Sequence, residues 1–307
     1  QQKTKDFKPQ YINDIISKGK SSGIDVNEMM SVAEPGDVAT ILYTSGTTGT
    51  PKGVMLTHDN IVSNILSSEH LCPVGPGDRA LSFLPLCHSY ERMLTYLYMY
   101  IGVSIYYAES IEKIGDNLKE LKPHVFSTVP RLLEKVFDKI VNKGKELTGI
   151  KHKLFFWALD LGLRYEKDGK NGAWYELQLK LANKLIFSKW REALGGNVRV
   201  IVSGGAALQP RLARVFWSAG INVLEGYGLT ETSPVIAVNN LEHRGSAFGT
   251  VGPVIKGVKV MIAEDGEILC KGPNVMKGYF NRPDLTAEVI DADGWFHTGD
   301  IGCFIED

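Results

Sequence analysis

Short runs of β-branched and aromatic residues alternate with stretches of helical period from residue 37 to about 240. VATILY (38–43), ALSFL (80–84), VSIYY (103–107), VFST (125–128), VRVIV (198–202) and INVL (221–224) read as strands. Between them, apolar positions recur every three to four residues. In RLLEKVFDKI, the residues Leu132, Leu133, Val136, Phe137 and Ile140 share one helical face. Similar signals predict helices over 58–68, 111–121, 151–166, 173–194 and 209–218. Alternation of strand and helix predicts an α/β fold with a mostly parallel sheet flanked by helices. The most apolar stretch, MLTYLYMYIGVSIYYA (93–108), is too short and too broken by glycine to span a membrane. It predicts a core helix followed by a buried strand.

The pattern changes after about residue 240. GVKVMIAEDGEILCKG (257–272) reads as two strands around a Glu-Asp-Gly turn, with Val258, Val260 and Ile262 on one face. GWFHTGDIGCFIED (294–307) adds further β character. Residues 241–307 therefore predict a small β-barrel-like subdomain on an α/β body spanning 36–240. Residues 1–35 are polar and uneven, and Pro35-Gly36 closes them; they read as a tail or linker.

Composition narrows the class. Of 307 residues, 44% are hydrophobic and 22% charged, the balance of a globular protein with a real core. The formal net charge of −1 gives no general attraction to nucleic acid or anionic lipid. Cys72, Cys87, Cys270 and Cys303 have neither metal-ligand nor C-x-x-C spacing, so they read as free thiols in a reducing, cytoplasmic setting. The polar N-terminus QQKTKDFKPQ is no signal peptide.

Candidate chemistry begins at YTSGTTGTPKG (43–53). Glycines at 46 and 49 let successive backbone N–H groups converge on an anion, and Thr44, Ser45, Thr47 and Thr48 add hydroxyls. One hydroxyl could ligate Mg²⁺, and Lys52 adds a point charge. A Walker A loop would need Gly and Ser/Thr where Pro51 and Gly53 stand, which argues against a P-loop kinase or ATPase. Alone, the segment also reads as a flexible strand-to-helix connection. Three later segments follow in order. SGGAALQP (203–210) lets a flat ring approach the backbone at Gly205 and Ala206. EGYGLTETSP (225–234) frees Tyr227 between Gly226 and Gly228 and sets Thr230 beside Glu231, as a phosphate–Mg²⁺ site needs. GWFHTGD (294–300) ends on Asp300, a carboxylate able to accept both hydroxyls of a ribose. Each alone also reads as an ordinary turn.

Together, YTSGTTGTPKG and its companions resemble the ordered motifs of the adenylate-forming superfamily: acyl-CoA synthetases, luciferases and peptide-synthetase adenylation domains. The resemblance covers roughly residues 37–307. It implies that Thr44, Ser45, Gly46, Thr47, Thr48 and Gly49 hold the pyrophosphate end of ATP, with Thr44 near the metal. It places Gly205 and Ala206 along adenine and Tyr227 on its face. Thr230 would meet the α-phosphate, Glu231 would bind Mg²⁺ and Asp300 the ribose. Glu225, before Gly226, stands where many members carry an amide, so its contact with the adenine edge stays open. LPLCHSYERM (84–93), VPRLLEKVFDKI (129–140) and the long insert at about 141–195 resemble the long-chain fatty acyl-CoA synthetase branch. That implies fatty acid, ATP and coenzyme A as substrates, with His88 at the acyl-pocket entrance; on its own, His88 reads as a structural histidine.

Other readings remain. Arg92 reads as an ion-pair partner of Glu91 or Glu109. Phe155, Phe156, Trp157, Trp174, Phe187 and Trp190 read first as core and second as a peripheral membrane contact. Another adenylating branch, for a shorter, aryl or amino acid, is the alternative function, and a catalytically dead binding module a further one. Members of the superfamily run on well past the ribose aspartate and begin well before the phosphate loop. The chain is therefore expected to be a fragment, incomplete for the full reaction, with exposed apolar surface favouring association such as a homodimer.

Overall fold

The computed structural model describes residues 11–44, 50–242 and 245–305. It divides into two compact units after Asp37. In the first, the stretch read as a tail carries two short helices, α1 (Ile12–Ser21) and α2 (Val26–Ser31). Asp25 caps α2 by accepting the Asn27 and Glu28 N–H groups. Neither helix buries a residue within the unit.

The second unit begins with a hairpin of β1 (Val38–Thr44) and β2 (Lys52–Thr57), then α3 (His58–Ser68). The α/β body follows: β3 (Arg79–Ser82), α4 (Ser89–Ile101), β4 (Ser104–Tyr107), α5 (Ile114–Leu121), β5 (Val125–Thr128), α6 (Pro130–Lys145), α7 (Gly149–Leu163) and α8 (Ala173–Ala182). A π-turn over Asn183–Phe187 carries α8 into α9 (Ser188–Ala193). Then come β6 (Val200–Ser203), α10 (Pro210–Ser218), β7 (Val223–Gly228), β8 (Val235–Val238), β9 (Lys259–Ile262), β10 (Glu267–Lys271), β11 (Gly278–Tyr279), α11 (Pro283–Val289) and β12 (Phe296–Ile301).

The main sheet has the order β4-β3-β5-β6-β7-β8, parallel except for β8. Period-two alternation builds two cores. Ala80, Val125, Val200 and Leu224 face α4, where Met93, Leu94, Leu97 and Tyr98 are buried. Leu81, Phe126, Ile201 and Val223 face the other way, onto α6, α7, the α8–α9 segment and α10. Of the insert's aromatics, Phe187 and Trp190 are buried there, whereas Trp174 is 72% exposed. Two smaller antiparallel sheets, β1-β2-β11 and β12-β10-β9, share a third core with Ile236 of β8.

Three expectations change. The strand VATILY is not part of the parallel sheet. It pairs antiparallel with β2, whose KGVMLT run follows the Gly-rich loop, so that loop joins two strands of a hairpin rather than a strand and a helix. The segment 103–107 is not a buried strand. Among the described residues β4 is an edge strand paired only with β3, and Tyr106 and Tyr107 are exposed. Arg92 bonds the Leu86 carbonyl through Nε and the Thr40 hydroxyl through Nη1, while Glu91 turns into the core.

Candidate active site

The site lies at the carboxyl ends of β6 and β7, where an open parallel sheet offers loops and helix starts on one edge. Strand β6 ends at Ser203 and runs into Gly204 and Gly205. A Cβ on Gly204 would lie 3.1 Å from Cζ of Tyr90, and Gly205 has φ +80, a left-handed turn that favours glycine. Gly205 and Ala206 are exposed, as a platform for a flat ring requires. Glu225 is buried and turned inward, with Oε2 accepting the Leu208 N–H at 3.1 Å. Burial pushes its carboxyl pKa up. This side chain braces the 204–208 loop from below.

Strand β7 delivers Tyr227. Its hydroxyl donates to Oδ2 of Asp300 at 2.8 Å, joining two motifs 73 residues apart. Burial pushes the Tyr227 phenol up, so it remains the proton donor to the carboxylate. The turn before Asp300 is fixed by Glu267, whose carboxylate accepts the Gly299 N–H at 2.8 Å and bonds the His297 ring at 2.9 Å.

After β7, a single 3₁₀ turn over Thr230–Thr232 holds Thr230 and Glu231 side by side. The Ser89 hydroxyl, at the first position of α4, lies 3.4 Å from Oγ1 of Thr230. Glu231 accepts the Tyr279 hydroxyl on Oε1 at 2.9 Å, and its carbonyl accepts the Met276 N–H. Burial, with Glu231 adding to it, pushes the Tyr279 phenol up. Lys52 lies with Nζ 5.1 Å from the centroid of the Tyr279 ring. Thr44 pairs with Lys52 across the hairpin. A chain of neighbours thus runs from Thr44 through Lys52, Tyr279 and Glu231 to Thr230. Ser45, Gly46, Thr47, Thr48 and Gly49 lie outside the described residues.

Below this edge is a cavity of about 580 Å³. His88, Gly205, Tyr227 and Thr230 stand at one end; Leu71, Cys72, Leu97 and Val200 line it toward the opposite ends of the strands. His88 is the N-cap residue of α4 and shares this lining with Thr230. Among the described residues no cluster of three or more His, Cys, Asp or Glu could hold a metal ion. Glu231 keeps one carboxylate oxygen beyond its bond to Tyr279, which suits a Mg²⁺ held mainly by substrate phosphates.

Tyr279 and Ser89 escape sequence reasoning. Tyr279 stands in an unremarkable KGYFNRP segment, and nothing local links it to Glu231, 48 residues away. Ser89 directly follows His88 in LPLCHSYERM, and only the helix start gives its hydroxyl a direction. Removing the hydroxyl with Tyr279→Phe is expected to cost about 1.5–3 kcal/mol of hydrogen bonding to a charged acceptor. The measurement is the Mg²⁺ dependence of nucleotide binding, which should weaken with the fold unchanged.

Comparison with known proteins agrees with this geometry. The family model described as AMP-binding enzyme matches residues 3–280. The chain belongs to this family. This AMP-binding chain is 38% identical over 288 residues to "Long chain acyl-CoA synthetase 6, peroxisomal" of Arabidopsis thaliana, covering 89% of the chain and 40% of that protein. It is 36% identical over 320 residues to "Long-chain-fatty-acid--CoA ligase 1" of Homo sapiens, covering 95% of the chain and 45% of that protein. The chain thus spans less than half the length of these two relatives. Among solved structures, ATP-bound MatB from Rhodopseudomonas palustris superposes with a TM-score of 0.64 at 27% identity, over 88% of this chain and 46% of that one. The mostly parallel sheet with flanking helices is the fold of the adenylate-forming enzymes' N-terminal domain.

Proposed function

We propose that the chain is the nucleotide- and acid-binding body of an acyl-CoA ligase acting on fatty acids. The observation that carries this reading is the apolar cavity, whose lining includes Thr230, His88 and Tyr227, the residue bonded to Asp300. A fatty acid laid along the cavity would present its carboxylate at Thr230. ATP would lie across the strand ends, with adenine along Gly205–Ala206 and against Tyr227 and the ribose hydroxyls on Asp300. The hairpin loop between Thr44 and Lys52 would take the pyrophosphate end. The names of the two relatives support a long-chain acid.

The reaction has two steps. A carboxylate oxygen attacks the α-phosphorus, the bond to the β-phosphate bridging oxygen breaks, and pyrophosphate leaves. The thiolate of coenzyme A then attacks the acyl carbon and expels AMP, leaving a thioester. The difficulty of the first step is electrostatic, because two anions must meet. Thr230 and Lys52 are the groups here that would offset that charge, and Glu231 with Thr44 would hold Mg²⁺. When bound, the ion neutralises phosphate charge and withdraws electrons from the reacting phosphorus.

The test is pyrophosphate exchange by the full-length protein against a panel of carboxylic acids. Exchange that depends on fatty acids and rises with chain length up to a limit is the expected result. Dependence on an amino acid or an aryl acid, with fatty acids inert, would overturn the substrate assignment.

A further inference from the structure

Glu91 takes no part in the chemistry above, yet it lines the cavity and is 1% exposed. Its Oε1 accepts the Ser82 hydroxyl at 2.5 Å and its Oε2 accepts the Ser127 hydroxyl. Ser82 closes β3 and Ser127 lies in β5, the neighbouring strand. One side chain therefore ties the first turn of α4 to two strands at once. The adjacent cation, Arg92, points away to Leu86 and Thr40. Burial pushes the Glu91 carboxyl pKa up while the two serine bonds pull it back.

The turn that Glu91 holds also carries the site. His88 caps it and lines the cavity, and Ser89 reaches Thr230. The N-cap makes no side-chain hydrogen bond, so the cap itself does not fix the turn. The later turns are held separately, by buried Met93, Leu94, Leu97 and Tyr98. Tyr90 in the same turn donates its hydroxyl to the Val202 carbonyl and Arg92 bonds Leu86 and Thr40, so losing Glu91 would loosen the turn around His88 and Ser89 without undocking the helix.

We propose that Glu91 is a positioning residue: by bridging Ser82 and Ser127 it sets His88 and the Ser89–Thr230 contact, and so aligns the acid's carboxylate with the α-phosphate. The proposal rests on the ligase reading above. Its test uses Glu91→Leu, Glu91→Gln and the pair Ser82→Ala with Ser127→Ala in the full-length protein. For Glu91→Leu, kcat/KM for the acid in pyrophosphate exchange is expected to fall about tenfold to a hundredfold. KM for ATP is expected to hold, while the melting temperature falls because the buried Ser82 and Ser127 hydroxyls lose their acceptor. The double serine variant should reproduce the loss. Glu91→Gln should restore most activity, since an amide can accept from one serine and donate to the other. Amide hydrogen exchange in the Glu91→Leu variant should quicken at residues 88–92 and stay unchanged at 93–101.

Unaltered kinetics in Glu91→Leu overturn the proposal. So does a loss shared equally by acid and ATP, which marks a purely structural role. If the unsubstituted protein shows no acid-dependent exchange, the ligase reading fails and the alignment role with it. Amide exchange then still reports on the hold itself, and unchanged rates at 88–92 would refute that too.

Discussion

Glu231→Gln is expected to lower acid-dependent pyrophosphate exchange by about a hundredfold to a thousandfold. The substitution is nearly isosteric, and the new amide oxygen can still accept the Tyr279 hydroxyl that now bonds Oε1. The Met276 N–H still meets the backbone carbonyl of residue 231. What is lost is one negative charge on the turn that also carries Thr230. The fold should keep its melting temperature, and the activity defect should ease as Mg²⁺ concentration is raised. A variant with the Mg²⁺ dependence of the unsubstituted protein would overturn the metal role proposed for Glu231.

Gly228→Ala is the second large effect, and it works through the backbone. A Cβ at Gly228 would fall 1.7 Å from the Pro234 carbonyl oxygen and 3.1 Å from the Ile236 nitrogen. Neither neighbour is a flexible side chain. Strands β7 and β8 would have to separate where Gly228 faces Val235, moving Tyr227 on one side and Thr230 on the other. Stability is expected to drop by about 1–3 kcal/mol. Exchange activity should fall by about a hundredfold, since displacements of an ångström in a reacting geometry cost that much. Gly115→Ala is the control. Its Cβ would meet nothing within 4 Å, on helix α5, so neither melting nor activity should suffer.

The periodic elements were largely legible in the sequence. VFST matches β5 residue for residue, and the helices at 58–68 and 209–218 fall within a residue of α3 and α10. Period alone does not reveal which sheet a strand joins. VATILY has the same β-rich composition as its parallel counterparts, and only the partner KGVMLT decides that it forms a hairpin. Nor does period reveal edges. VSIYY looks buried because its tyrosines count as apolar, yet among the described residues one flank of β4 has no strand beside it.

The site divides in the same way. Tyr227, Thr230, Glu231 and Asp300 stand in dense motifs, and the Tyr227–Asp300 bond unites two of them. Glu225 was ambiguous as a letter because a carboxylate can face a ligand or the protein; its bond to Leu208 is tertiary information. Tyr279 went unread, and Glu91 was read only as a partner for Arg92, for a related reason. Each acts through partners dozens of residues or a whole helix away, and a single Tyr or Glu carries no local mark of that.

The hairpin of β1 and β2 has a consequence for how this segment tolerates change in length. Thr44 opposes Lys52, and β2 pairs on its other side with Gly278 and Tyr279. A residue inserted at the tip leaves both ladders in register. One inserted within β2 inverts every later side chain of the strand, so that Val54 and Leu56 turn from the core to the opposite face and the strand that bears Tyr279 loses its match. Length variation can therefore accumulate at the tip but not in the stems.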